Sequence, residues 1–320
     1  MSSLALGART IASVAAAVAL ASCGGASPSG APARSGGADP ATVAAAKAAK
    51  PRPPLPSYPT LLGTATGSTP TEFVPAVRWR GRTAAWIART RSGIGLISFD
   101  QRSLALRLHS GTIDPGGSGW RWGPAVAGSE RHRLVAAFNG AFKFSTGAGG
   151  FVSYGRVGAP LRDGRGSIVT YSNGRTDIGS WHREVPATGL AVASVRQNLT
   201  LLIDHGRAAT SVGCRTCWGA TLGGVDDPAR SALGVTASGH LVWAGGLHLS
   251  VGELANALLG ANVVRAVELD INPEWVAGYL YGHRGGAGPL VPVPVVPGQV
   301  GVSGAFLKPY GRDFFAIVAR

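Results

Sequence analysis

The sequence predicts an α+β fold, a single domain with a mixed strand-rich core and few helices, set behind a disordered tether. Three observations predict it. From about Leu61 onward, short apolar and β-branched runs alternate with Gly, Pro and Ser, the pattern of strands and turns. One later stretch, Ser250-Val251-Gly252-Glu253, is a capping box that opens an amphipathic helix. Before both, residues 24–59 are so rich in Gly, Ala, Ser and Pro that too little apolar surface exists to offset chain entropy.

The chain has 320 residues, enough for one large domain or two small ones, and 45% of them are hydrophobic, so a sizeable core can form. No internal run reaches the ~18 apolar residues that span a bilayer. The formal net charge is +14, and only Lys47, Lys50, Lys143 and Lys308 among the basic residues are lysines. A basic surface suits anionic partners, either phosphate-containing polymers or a membrane face. The arginines are scattered singly and the chain carries an export signal, so no nucleic-acid partner is expected.

Residues 1–22 have a short n-region with Arg9 and an apolar stretch from Ile11 to Ala21, the shape of a signal peptide. The stretch ends in Leu20-Ala21-Ser22-Cys23. This resembles the bacterial lipobox, in which the Cys is lipid-modified and becomes the first mature residue. A diacylated Cys23 would hold the protein on the outer face of the cytoplasmic membrane, because each buried CH₂ contributes about 0.8 kcal/mol and two chains hold where one does not. The alternative is an ordinary secretory signal that leaves Cys23 a free thiol. Residues 23–59 then form a tether, flexible at first and semi-rigid near Pro51–Pro56. Residues 60–320 form the globular domain.

Within that domain, Thr83–Ile87, Ile94–Phe99, Leu104–His109 and Leu134–Phe138 read as strands. A Gly-rich loop at 113–126 carries Trp120 and Trp122, which either stack on a sugar ring or cover the edge of the core. Leu134–Phe138 runs into Asn139-Gly140, a pair that tolerates left-handed backbone. It is either a plain strand-ending turn or an Asn side chain offered at the sheet's edge as donor and acceptor. Ser167–Tyr171, Thr176–Ile178, Leu190–Val195 and Leu199–Ile203 follow as strands. Cys214 and Cys217 are read as a short-loop disulfide in an exported chain. A zinc site would need two further ligands at suitable spacing, and a thioredoxin-type role would need a following helix where Gly219 and Gly223-Gly224 stand.

The stretch from Ala229 to Trp275 holds the candidate chemistry. Ser231–Thr236 and Leu241–Ala244 form a hairpin preceded by Arg230. The capped helix follows, with Leu254, Ala257 and Leu258 as its buried stripe and Gly260 placed as the residue past its C-terminus. The next strand runs from Val263 and puts Glu268 and Asp270 on one face, Cα atoms about 6.5–7 Å apart. Two such carboxylates can hold different protonation states and act as acid and base, or they can pair with nearby arginines. Pro273 ends the strand, and Glu274 and Trp275 follow. The proline-alternating segment Pro289–Pro297 reads as a surface loop or edge, and Phe314–Val318 as a closing strand.

Taken in order, these motifs resemble the phosphodiester glycosidase domain family, which includes the lysosomal uncovering enzyme that removes N-acetylglucosamine from a phosphodiester on mannose. The family's marks are an Asn-Gly after a strand, an Arg before a small-residue strand, and an Asp-Gly-Gly-Gly-Ser after the last strand. Asn139 and Gly140 match the first, Arg230 the second, and Asp270 the Asp of the third, over a span from about Leu134 to Arg320. Past Asp270 the chain departs from the family, with Ile271-Asn272-Pro273-Glu274-Trp275 in place of the glycines. Glycines there would close backbone N–H groups around a phosphate, and Pro has no N–H to offer.

The resemblance implies a cell-envelope hydrolase that cleaves a sugar phosphodiester or related glycosidic bond. Asp270, with Glu268 or Glu274, would do the acid–base work. Arg230 would hold the phosphate, Asn139 with Gly140 would orient the sugar, and Asn272 would bind substrate where the family uses its glycines. No cofactor is implied. The expected partners are an envelope glycan or sugar phosphate as substrate, and the membrane through Cys23. The alternative is a non-catalytic envelope lipoprotein that binds anionic glycans through the basic surface, Trp120 and Trp122. No G-x-S-x-G, H-E-x-x-H or Walker sequence occurs, so serine-esterase, zincin and NTPase chemistry find no support.

Overall fold

The short apolar runs fold into antiparallel strands, some half-buried with period-2 alternation and others buried on both faces. The computed structural model describes residues 58–63, 72–214, 216–219, 224–283, 289–302 and 304–320. The leader 1–22, Cys23 and the tether to residue 57 lie outside the described residues. The strands are β1 (Thr60–Leu61), β2 (Val74–Trp79), β3 (Arg82–Arg89), β4 (Gly95–Phe99), β5 (Leu104–His109), β6 (Leu134–Asn139), β7 (Phe151–Ser153), β8 (Arg156–Ala159), β9 (Gly166–Tyr171) and β10 (Thr176–Ser180). They continue as β11 (Val192–Gln197), β12 (Leu201–Asp204), β13 (Arg207–Ala208), β14 (Arg230–Thr236) and β15 (Leu241–Gly246). Helix α1 (Val251–Gly260) follows, then β16 (Val263–Glu268), β17 (Gly278–His283), β18 (Leu290–Pro294) and β19 (Phe314–Ala319).

These strands build a nine-stranded sheet in the order β1-β2-β3-β4-β15-β14-β16-β12-β13 and two five-stranded sheets, β10-β9-β11-β7-β8 and β18-β17-β6-β19-β5. Every strand pairing within them is antiparallel. The fold is therefore essentially all-β, which corrects the α+β expectation. The reason is the size of the helical contribution. Among the described residues α1 is the one α-helix, and its ten residues make about 15 Å of cylinder, too little to cover a nine-stranded sheet. The sheets cover one another instead.

The central core shows how. Leu233, Leu241, Trp243, Ile97 and Phe99 project from one face of the nine-stranded sheet into a cluster shared with Phe138, Leu280 and Phe315 of the third sheet and Phe151 and Ile168 of the second. Phe138 stacks within 5.7 Å of Trp243 and 6.2 Å of Phe99. Truncation of one of these fully buried rings would cost about 3–5 kcal/mol. The alternate residues Ala232, Val242, Ala244 and Leu96 face the other way and receive Leu254, Ala255 and Leu258 of α1.

The helix starts as expected. The Ser250 side chain accepts from Glu253 N, and the Glu253 side chain accepts from Ser250 N. Its end differs, because Gly260 is still helical and the left-handed residue is Asn262 (φ 59°). Asn takes that conformation more readily than most side chains do. The proline-rich segment becomes β18, an edge strand, with Pro292 and Pro294 paired to Tyr281 and Tyr279. Prolines suit an edge because they cannot template further pairing there.

Candidate functional site

Strand ends from all three sheets meet at one place. β6 ends at Asn139, β14 begins at Arg230, β16 ends at Glu268, and β19 begins just after Arg312 and Asp313. From the second sheet, β11 contributes Arg196. A charged side chain inside an apolar strand must find a buried partner. Arg196 finds Asp313, with Nε to Oδ2 at 2.8 Å and Nη2 to Oδ1 at 3.0 Å, and neither side chain is exposed at all. The remaining Arg196 donors reach the carbonyls of Gln197 and Phe142.

The Asn139-Gly140 corner is fixed by this pair. A Cβ on Gly140 would stand 2.1 Å from Asp313 Oδ2 and 2.5 Å from its carbonyl oxygen. The glycine is therefore required by close approach. Its φ is not in the left-handed region, so the expected backbone reason does not apply. Asn139 is 1% exposed, and its Nδ2 donates to Ser231 Oγ at 2.9 Å and to Gly140 O at 3.0 Å. Its Oδ1 accepts from Ala277 N at 3.3 Å. Ser231 Oγ in turn donates to Asp270 O at 3.1 Å, and Asp270 N donates to Gly140 O at 3.1 Å. Asn139, Gly140 and Asp270 thus come together, with Asn139 acting as a brace whose amide is occupied by protein atoms.

Glu268 and Asp270 part company at the end of β16. Glu268 is wholly buried and lies 2.7 Å from Arg230 Nη1. Burial pushes its carboxyl up to about 8, against the pull of Arg230 and with a further push from Asp270. Its Oε2 is buried without a hydrogen-bond partner among the described residues. Arg230 is 2% exposed and also donates to Leu249 O and Trp218 O. The Arg230–Glu268 pair therefore sits behind the strand ends, facing protein. Trp218 directly follows the Cys214–Cys217 disulfide, which the structure contains.

Asp270 has Arg312 as its partner instead. Arg312 Nη2 lies 3.4 Å from Asp270 Oδ2, and Arg312 Nε lies 3.0 Å from Asp114 Oδ2. Arg312 Nη2 also donates to Ala141 O, while its Nη1 is buried with no hydrogen-bond partner among the described residues. The same holds for the Tyr310 hydroxyl. Burial pushes the Tyr310 phenol up, and the Asp270 charge adds to that push. Burial also raises the Asp270 carboxyl above the usual carboxylate range. Arg312 and the backbone N–H groups of Asn272 and Ile271 oppose this, and Asp313 reinforces it. Asp114 is raised in the same way, with Arg312 opposing. A general acid benefits from such an environment, because burial favours the protonated form.

The segment after Asp270 forms its own turn. Asp270 Oδ1 accepts from Asn272 N, and Asn272 Oδ1 accepts from Glu274 N, both at 2.9 Å. Two successive side-chain-to-backbone turns of this kind occupy the N–H groups of Asn272 and Glu274. Asn272 is half-buried and occupied by this turn. Glu274 is exposed. At the rim, the Trp275 ring carries Arg312 Cζ and Lys143 Nζ each 4.4 Å from its centroid. Lys143 is exposed and Asp270 keeps a side-chain opening of 8%.

The site residues that sequence reasoning missed are Asp114, Lys143, Arg196, Tyr310, Arg312 and Asp313. One signal was present: Arg312-Asp313 stands directly before the wholly apolar run Phe314–Ala319, and opposite charges at the mouth of a buried strand need partners. A surface cavity of about 480 Å³ lies elsewhere, lined by Arg131, Pro292, Val302, Gly304, Ala305, Leu307 and Lys308. It shares no residue with the acid cluster. Among the described residues, no group of three or more His, Cys, Asp or Glu side chains is placed to hold a metal ion, and no helix is long and apolar enough to cross a membrane.

No known protein family and no curated protein matches the sequence. Among solved structures, the catalytic domain of zebrafish N-acetylglucosamine-1-phosphodiester alpha-N-acetylglucosaminidase, auto-inhibited by its pro-peptide, is similar at a TM-score of 0.45 and 15% identity. That match covers 78% of this chain and 81% of the zebrafish chain. A hypothetical protein from Synechocystis is similar at a TM-score of 0.43 and 16% identity, over 78% of this chain and 61% of that one. Similarity at this level assigns neither activity nor substrate to this chain.

Proposed function

We propose that this protein is an exported, lipid-anchored hydrolase of the cell envelope that cleaves a sugar phosphodiester or a related glycosidic bond. The observation that carries the proposal is the Arg312–Asp270 centre. A carboxyl raised by burial stands 3.4 Å from a guanidinium that keeps an unpartnered buried nitrogen, beside a buried phenol in the same condition. Such groups have donors left for a substrate, and a buried cation stabilises developing negative charge more than an exposed one does.

In this reading Asp270 is the general acid. It gives its proton to the bridging oxygen as the bond from the sugar carbon to that oxygen breaks, and the oxygen leaves on the phosphate. Water supplies the new oxygen on the sugar carbon, and Asp114 is the second carboxyl close enough to Arg312 to accept the water's proton. Arg312 and Lys143 take the charge of the substrate, and Arg230 keeps Glu268 in place behind them. The cationic role thus passes from Arg230 to Arg312, because the Arg230 guanidinium is turned to Glu268, Leu249 and Trp218.

The test is hydrolysis of a sugar 1-phosphodiester by the wild type and by Asp270→Asn. Loss of turnover in the variant with the fold intact supports the proposal; full turnover removes Asp270 from the mechanism. Export is supported by the Cys214–Cys217 disulfide, since such bonds persist in oxidising compartments. Anchoring at Cys23 is tested by fractionation, where Cys23→Ala should move the protein out of the membrane fraction. Against the glycan-binding alternative stands the placing of Arg156 4.2 Å over the Trp120 ring and Arg107 4.0 Å over the Trp122 ring, which takes up one face of each.

A further inference from the structure

Beside the candidate site, two neighbouring segments carry exposed apolar side chains among exposed arginines. Ile113 is 80% exposed, Val157 62% and Tyr154 51%, among the largest exposures of bulky apolar side chains in the described residues. Ile113 stands in the loop after β5, while Tyr154 and Val157 belong to the β7–β8 hairpin. The two segments touch. Arg121 Cζ lies 4.8 Å over the Tyr154 ring, Arg156 donates to Ser118 O, and a Cβ on Gly158 would stand 2.9 Å from Pro115. Arg121 and Arg156 are both exposed.

Charge decides what fits here. Between Gln101 and Arg162 the only acids are Asp114 and Glu130. Asp114 is engaged by Arg312, and Glu130 by Arg107 and His109. Along this stretch no carboxylate is both exposed and unpaired, and the next acid, Asp163, is exposed and pairs with His182. An anionic polymer would be gripped by charge alone and gains nothing from an exposed Ile and Val. An anionic bilayer surface satisfies both features, with aliphatic tips entering the interface and a Tyr and arginines sitting at headgroup level.

We propose that this face, Ile113 with Arg121, Tyr154, Arg156 and Val157, docks the domain onto an anionic lipid surface. Ile113 N and Asp114 N both donate to Gly311 O at 3.0 Å, one residue from Arg312. Docking would therefore bring the Arg312–Asp270 centre close to the headgroup layer, where a lipid-carried sugar phosphate would be presented. The surface is independent of the hydrolase reading, because its test reads binding and insertion, not turnover.

The experiment uses the mature chain, residues 23–320, with Cys23→Ala, which removes lipidation and leaves the Cys214–Cys217 pair oxidised. An environment-sensitive fluorophore is placed through Ile113→Cys or, as the control, through Ala237→Cys on the exposed β14–β15 turn. With phosphatidylglycerol vesicles the probe at 113 should shift to the blue, and the probe at 237 should not. Phosphatidylcholine vesicles should give neither shift. Arg121→Gln with Arg156→Gln should lower partitioning about twenty-five-fold, about fivefold for each charge. An equal response at both positions, no response at 113, or unchanged partitioning of the double variant overturns the proposal. So does binding of soluble polyglycerol phosphate through these arginines without any response to vesicles, which would assign the face to a polymer.

Discussion

Two buried arginine centres stand within a few residues of each other and do different work. Arg196–Asp313 is sealed: two short bonds join the pair, two carbonyls accept further bonds so that every guanidinium nitrogen has a partner, and no surface is exposed. Arg312–Asp270 is loose: the pair is 3.4 Å apart, the guanidinium is shared with Asp114, and two of its nitrogens, Nε and Nη1, have no hydrogen-bond partner among the described residues. Identical residue types thus give a clamp in one case and a centre with capacity to spare in the other. What separates them is the completeness of hydrogen bonding, since a buried charge is tolerated in proportion to how fully it is paired.

The contrast can be broken from either side. The largest expected effect is on turnover: Asp270→Asn should lower the rate by about 10²–10⁴-fold, the usual contribution of a positioned acid or base. The fold should stay intact, read by thermal unfolding, because the amide is nearly isosteric with the carboxyl and keeps an oxygen for Asn272 N to donate to. Asp313→Ala should do the reverse. It leaves Arg196 charged, buried and unpaired, and urea denaturation should show a loss of about 3–5 kcal/mol. A loss below about 1 kcal/mol would sink the idea that this pair is a structural clamp.

The third prediction concerns pH and the Arg230–Glu268 pair behind both centres. The Glu268 carboxyl is raised from 4.5 to about 8 in the folded protein. The folded state then holds a proton that the unfolded state releases, so the group's stabilisation is complete below pH ~4.5 and is lost as pH rises through about 8. Stability should fall across that window at up to about 1.4 kcal/mol per pH unit. Asp270 and Asp114 are also raised and act in the same direction. Glu268→Gln should flatten the slope; an unchanged profile would assign it to other groups. The smallest effect is expected from Ser231→Ala, which removes the hydroxyl between Asn139 Nδ2 and Asp270 O. Thermal unfolding should register about 1–2 kcal/mol, with KM moving more than kcat if Asn139 only braces the corner.

Much of the β framework was legible. Leu104–His109 was bounded correctly from alternation alone, and the capping box fixed the start of α1. Both signals are local, because a strand's period and a helix cap depend on a few consecutive residues. The class was not legible, because one well-formed helix says nothing of how many sheets will pack on one another. Val74–Trp79 and Gly278–His283 were also passed over as strands. Pro75 and the glycines of Gly278-Tyr279-Leu280-Tyr281-Gly282 hide their alternation. Gly278 is needed because a Cβ there would stand 2.4 Å from the Trp243 ring, a contact between residues 35 apart in sequence.

By itself the sequence determined the local elements: where strands alternate, where the helix is capped, that Asn139-Gly140 closes a strand and that Asp270 follows one. It also placed the two cysteines close enough to bridge. Tertiary structure alone decided which charges meet. Arg230 and Arg312 are both arginines beside a β-strand, and nothing local to either tells that the first would be spent on Glu268 and the second left facing Asp270. That assignment depends on the ends of β6, β11, β14, β16 and β19, which come from three sheets and are brought together only when the sheets pack. Burial then raises the carboxyls, and burial is a property of the packed sheets, not of the residues that flank them in the chain.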